Sequence, residues 1–196
     1  MRLRFYAELG DLLARERRGR EFAHECAAGG SLKDLIEGLG VPHTEVDLVL
    51  VNGRSVDFAH HIQDGDRVSV YPVFEALDIS PVVSLRPKPL RVTRFVADVH
   101  LGRLAGYLRL CGFDTLYRTE WADRHLAETA VAERRILLTC DRGLLMRSIV
   151  THGYLVRDTQ PRAQLREVMD RFDLWHSLLP LTRCSVCNGL VGLVAK

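Results

Sequence analysis

From residue 94 onward, apolar positions switch repeatedly between short unbroken runs and helical stripes. Phe95-Val96-Ala97 is an apolar run that ends on an acid, Asp98. Leu101, Leu104, Ala105 and Leu108 then follow at i, i+3, i+4, i+7 spacing, and Gly112 stops that helix. The alternation repeats. Residues 114–118 read as a second strand, and Leu126, Ala127, Ala130 and Val131 share one face of a second helix. Residues 135–139 (RILLT) predict a third strand, apolar without alternation, as in a strand buried on both faces. Leu144, Leu145 and Ile149 mark a short helix, and Tyr154-Leu155-Val156 a fourth strand ending near Asp158. Pro161 opens a last helix in which Leu165, Val168 and Phe172 share a face. Alternating β and α elements predict a parallel sheet wrapped by helices.

The first 78 residues follow a different pattern. Arg2-Leu3-Arg4-Phe5-Tyr6 alternates at period two, and residues 21–27 supply a hairpin partner. Ser31 caps a helix that ends by Gly38 to Gly40, with Pro42 beyond it. Residues 45–51 form a strand that runs into Asn52-Gly53, and Asp64-Gly65 turns the chain into a last alternating strand at residues 67–71. This order of strands around one helix predicts an α+β domain of the β-grasp type. Between the two patterns, SPVVSLRPKP carries three prolines and reads as a semi-rigid linker. The expected division is 1–78, a linker at 79–91, a second domain at 92–176 and a tail at 177–196.

Charge sharpens the division. Residues 1–80 hold 9 Lys/Arg against 14 Asp/Glu, whereas residues 81–196 hold 18 against 11. Sixteen of those 18 cations are arginines, whose forked guanidinium matches phosphate geometry, so the second half suits a polyanion and the first does not. No apolar run approaches a membrane span, and the opening MRLRFYAEL alternates charged and apolar residues, unlike an export signal. With five cysteines, an odd number, the expected compartment is the reducing cytoplasm.

Two predicted strands end on aspartates, Asp98 and Asp141. In open parallel sheets, ligands bind beyond the carboxyl ends of the strands. If the two strands are neighbours, these carboxylates converge, with Asp123 at the start of the second helix able to join them and Asp158 a fourth candidate. Carboxylates brought that close repel unless a cation separates them, and oxygen-only ligands select Mg²⁺ or Mn²⁺, ions that serve phosphoryl chemistry. Each acid also precedes a helix, where an aspartate often serves only as an N-cap.

The quoted residues carry two resemblances. "RLRFYAEL", "VLVNGRSVD" and "DGDRVSVYPVF" resemble ubiquitin-like sulfur carriers, which act through a C-terminal Gly-Gly. Val73-Phe74-Glu75-Ala76-Leu77 stands there instead, so a role in docking a protein partner or in folding is expected rather than carrier chemistry. "RFVADVHLGRLAGYLRLCGFDTLYR", "ADRHLAETAVAERR", "ILLTCDRGLL" and "RCSVCNG" together resemble the Mut-7 C-terminal ribonuclease family, a PIN-like nuclease group. That resemblance implies a PIN-like α/β/α sandwich and metal-dependent RNA cleavage. It implies that Asp98 and Asp141 hold the ion, that Asp123 completes the site, and that Thr139 orients Asp141 through its hydroxyl. Arg103 and Arg142 become phosphate-binding candidates, and His100 fits the motif as a supporting residue. Cys140 stands where the family would be expected to carry an arginine.

In the tail, Cys184 and Cys187 have the spacing of half a zinc ribbon, and a structural zinc normally needs four protein ligands. With no second CxxC in this sequence, an empty or weak zinc site is expected. Aspartyl phosphotransfer is excluded, since no lysine occurs between Lys88 and Lys196 to hold the phosphoryl group. The rival to a ribonuclease is an RNA-binding module that keeps the fold without turnover.

Overall fold

The computed structural model describes residues 1–25, 30–72 and 92–192. The proline-rich linker, residues 73–77 and Cys26 fall outside the described residues. The chain divides into two compact units, Met1–Pro89 and Leu90–Lys196.

In the first unit, β1 (Arg2–Phe5), β2 (Phe22–Ala23), β3 (Val46–Val51), β4 (Arg54–Ser55) and β5 (Arg67–Pro72) form one mixed sheet in the order β2-β1-β5-β3-β4. The period-two pattern of β1 puts Leu3 and Phe5 inside and leaves Arg2 and Arg4 exposed. Helix α1 (Leu32–Gly38) starts where expected, with Ser31 Oγ accepting the Asp34 N–H, and buries Leu32, Leu35 and Ile36. Among the described residues Phe22 and Ala23 pair with β1, while residues 26 and 27 of the expected hairpin partner fall outside them. Central β5 lies parallel to β1 and antiparallel to β3, which gives the β-grasp arrangement.

In the second unit, β6 (Phe95–Ala97), β7 (Thr115–Tyr117), β8 (Ile136–Thr139) and β9 (Gly153–Leu155) form an all-parallel sheet in the order β7-β6-β8-β9. Helices α2 (Gly102–Leu110), α3 (Asp123–Ala132), α4 (Arg142–Leu145) and α5 (Pro161–Arg171) connect or follow the strands. Phe95, Ala97 and Leu138 share a core with Leu104 and Leu108 of α2 and Val168 and Met169 of α5. Alternation turns Val96 and Leu137 to the opposite face, where α3 packs with Leu126, Ala127 and Ala130 buried. The result is the expected PIN-like α/β/α layering. Three details differ. Val131 and Ile149 are exposed, so α3 buries a narrower stripe than its pattern predicts and α4 stops at Leu145. Strand β9 begins at Gly153, one residue before the apolar run.

The tail belongs to the second unit. The N–H groups of Leu179 and Leu181 donate to the carbonyls of Cys111 and Leu110 at the end of α2. Gly112 permits that approach: its φ is +98°, and a Cβ there would run into the carbonyl of Leu179. Among the described residues no helix is long and apolar enough to cross a membrane.

Candidate active site

The chain leaves β6 in one direction to form β7 and then crosses back to form β8 on the other side, so the topology reverses between β6 and β8. A crevice is expected at that point, outside the carboxyl ends of the strands. Asp98 follows β6 directly, and Thr139 closes β8 two residues before Asp141. Parallel pairing aligns Ala97 with Leu138, and the Asp98 N–H extends the ladder by donating to the Leu138 carbonyl at 3.0 Å.

One hydroxyl joins the two acids. Thr139 is fully buried; its Oγ1 donates to Asp98 Oδ2 at 2.7 Å and accepts the Asp141 backbone N–H at 2.9 Å. The sequence assigned this hydroxyl to Asp141. The structure gives the Asp98 carboxylate the donated hydrogen bond and fixes Asp141 only through its main chain. The N-cap reading separates along the same line. Asp98 precedes a 3-10 turn, Val99–Leu101, yet its side chain makes no capping bond; it is 4% exposed and bonded to Thr139 instead. Asp141 is a true cap, with Oδ1 accepting the Gly143 N–H at 2.7 Å at the start of α4.

The other candidates are placed less closely. Asp123 is the first residue of α3, about half exposed, with Oδ2 3.6 Å from Arg147 Nη2. Asp158 is exposed, and its Oδ1 accepts the Gln160 N–H at 2.8 Å in the turn before α5. Arg103, in the first turn of α2, is exposed and without an ion-pair partner among the described residues. Arg142 is exposed beside Asp141, and His100 is exposed in the turn after Asp98. At Cys140, desolvation and then the Asp98 and Glu167 carboxylates push the thiol's pKa up.

Glu167 is a residue the sequence did not single out. Its Oε1 accepts the Tyr154 hydroxyl and the Arg157 N–H, each at 2.9 Å, and its Oε2 accepts the Asp158 N–H at 3.0 Å. Those three donors commit it to shaping the turn after β9. In sequence it looks like any acid on the polar face of α5.

Among the described residues no three His, Cys, Asp or Glu side chains gather as a metal cluster. The oxygen donors at the β6–β8 edge nevertheless suit a hard cation. Asp98 Oδ1 and Asp141 Oδ2 take no hydrogen bond among the described residues. Mg²⁺ commonly uses one or two carboxylates and completes its shell with water and substrate oxygens.

The tail carries a second polar assembly. Cys184 and Gly189 close a loop through the Cys184 N–H and the Gly189 carbonyl at 2.8 Å, and Arg183 bridges to Leu190. Backbone N–H groups of Cys187 and Val186, then the Cys187 thiol, point at the Cys184 sulfur and lower its pKa. No third His, Cys, Asp or Glu side chain joins the two cysteines in a metal cluster among the described residues. Beneath it, buried Arg109 donates to the carbonyls of Ser185 at 3.1 Å and Val186 at 2.8 Å, and to Thr115 O at 2.8 Å. Asp114 accepts from Arg135 and Asn188, each at 2.8 Å, with Arg183 at 3.8 Å. Burial alone would raise Asp114, but the hydrogen bonds from Arg135 and Asn188 and the nearby arginine charges bring its pKa below the ordinary value.

Residues 1–78 match the model of the Mut7-C ubiquitin domain, and residues 93–196, more than half of the chain, match that of the Mut7-C RNAse domain. No curated protein and no solved structure matches the chain.

Proposed function

Since this chain belongs to the Mut7-C RNAse domain family, we propose that it hydrolyses RNA phosphodiester bonds at the carboxyl edge of the β6–β8 pair. The reading rests above all on the Thr139 hydroxyl, which ties Asp98 to the backbone of Asp141 across two neighbouring parallel strands. Asp98 and Asp141 would hold a Mg²⁺ or Mn²⁺ ion, which when bound lowers the pKa of water and neutralises charge on the phosphoryl oxygens. Thr139 keeps the Asp98 carboxylate turned to the crevice. Asp123, at the start of α3 and 3.6 Å from Arg147, would orient water or a nucleotide. Arg103 and Arg142 supply cationic contacts for the phosphate backbone. Zinc in the Cys184–Cys187 loop would be structural.

The test is cleavage of end-labelled structured RNA with Mn²⁺ and with EDTA, alongside Mn²⁺ binding followed by electron paramagnetic resonance. Asp98→Asn and Asp141→Asn should each abolish cleavage and weaken Mn²⁺ binding, with unchanged circular dichroism. Cleavage that survives both substitutions would sink the assignment. That no three-acid cluster forms among the described residues favours a second reading: an RNA-binding module without turnover. RNA binding without Mn²⁺-dependent cleavage would select it.

A further inference from the structure

Trp121 lies four residues beyond β7, in the segment leading to α3. Its ring centroid is 4.8 Å from that of His125 at an angle of 59°. The indole is half-buried, the imidazole is exposed, and the indole N–H makes no hydrogen bond among the described residues. Core packing accounts for only part of this: Leu126 and Ala127 carry the buried face of α3, and the ring pair lies outside it.

Two contacts tie the segments flanking the pair to the acidic edge. Tyr117, Ala97 and Leu138 stand in register across β7, β6 and β8, so these strands end together where Asp98 and Thr139 lie. The Tyr117 hydroxyl donates to the Val99 carbonyl at 3.0 Å and fastens the end of β7 to the turn after Asp98. On the other side, Asp123, two residues beyond Trp121, is paired with Arg147 just past α4, the helix that Asp141 caps. Arg118, exposed next to Tyr117, has no ion-pair partner among the described residues.

We propose that Trp121 and His125 form a subsite that stacks a nucleobase of a single-stranded RNA lying across the Asp98–Asp141 edge, with Arg118 serving the adjoining phosphates. The proposal rests on the ribonuclease reading and deepens it. Every base presents a π-face, so an aromatic platform grips the strand without reading its sequence. A platform beside the acids would hold one nucleotide still while the neighbouring phosphate sits at the edge. The competing role is mechanical, since Trp121 precedes the N-cap Ala122, the position of a hydrophobic staple.

Trp121→Leu separates the two, because leucine can staple but cannot stack. Binding is read by fluorescence anisotropy in EDTA. The probes are a fluorescein-labelled oligouridylate and an abasic strand of equal length. The expected result is binding of the oligouridylate weakened roughly 5- to 100-fold, little change for the abasic strand, and an unchanged Tm. Equal weakening of both probes, or oligouridylate binding like that of wild type, would overturn the subsite while metal-dependent cleavage by the wild-type protein keeps the ribonuclease reading. Wild-type protein that neither binds nor cleaves RNA would remove both.

Discussion

Replacing Thr139 by valine tests the joint between the two acids with almost no change of volume. The wild-type hydroxyl is fully buried, gives one hydrogen bond to a carboxylate that is 4% exposed, and satisfies one backbone N–H. A hydrogen bond to a charged group is worth about 1.5–3 kcal/mol, and an orphaned buried donor costs about 1–3 kcal/mol. Allowing for relaxation, Thr139→Val should destabilise the second unit by roughly 2–4 kcal/mol, which for a domain of this size lowers Tm by roughly 10–20 °C. Both tryptophans, Trp121 and Trp175, lie in that unit, so thermal unfolding followed by tryptophan emission reports it selectively. Thr139→Ser keeps the hydroxyl and loses only a methyl, so it should cost about 1 kcal/mol. Cleavage measured well below both Tm values should fall by about 10- to 100-fold in Thr139→Val, as when a group that orients a metal ligand is lost, and stay near wild type in Thr139→Ser. A valine variant that melts within about 2 °C of wild type and cleaves normally would refute the reasoning, because the bridge would then carry neither stability nor orientation.

Three further outcomes are expected. Asp114→Asn takes from Arg135, whose side chain is 6% exposed, one of its two carboxylate partners and leaves Glu133 at 2.7 Å; it should cost about 1–3 kcal/mol, less than breaking a lone buried pair because Glu133 remains and Asp114 keeps some solvent contact. Because folding lowers the Asp114 pKa, its stabilisation is present above its ordinary value of 3.8 and is lost as pH falls through the lower folded value. The stability gap between wild type and Asp114→Asn, measured by urea unfolding, should therefore be full at neutral pH and close in that acid range. Gly112→Ala forces a side chain into a left-handed conformation at about 1–2 kcal/mol and drives a methyl into the Leu179 carbonyl, so the tail should lift and become protease-sensitive near residue 179.

The alternation of apolar runs and helical stripes determined most of this fold, since a strand buried on both faces and a one-faced helix each leave a periodic trace. It placed β6, β8, α2 and α5 and brought Asp98 and Asp141 to strand ends. The ubiquitin-like unit was legible for the same reason, with its turns marked by Asn52-Gly53 and Asp64-Gly65. What the pattern could not determine was adjacency. That β6 lies between β7 and β8, and so sets Asp98 beside Thr139 rather than leaving two acids on separate edges, is a long-range pairing with no local signature. Nor does spacing distinguish a capping carboxylate, Asp141, from a buried one, Asp98, because both precede a turn into helix. Asn188 lies 74 residues from Asp114 in sequence, and it, Asp114 and Arg109 read as ordinary surface residues; only folding, by removing water from around them, made them the polar seat of the tail.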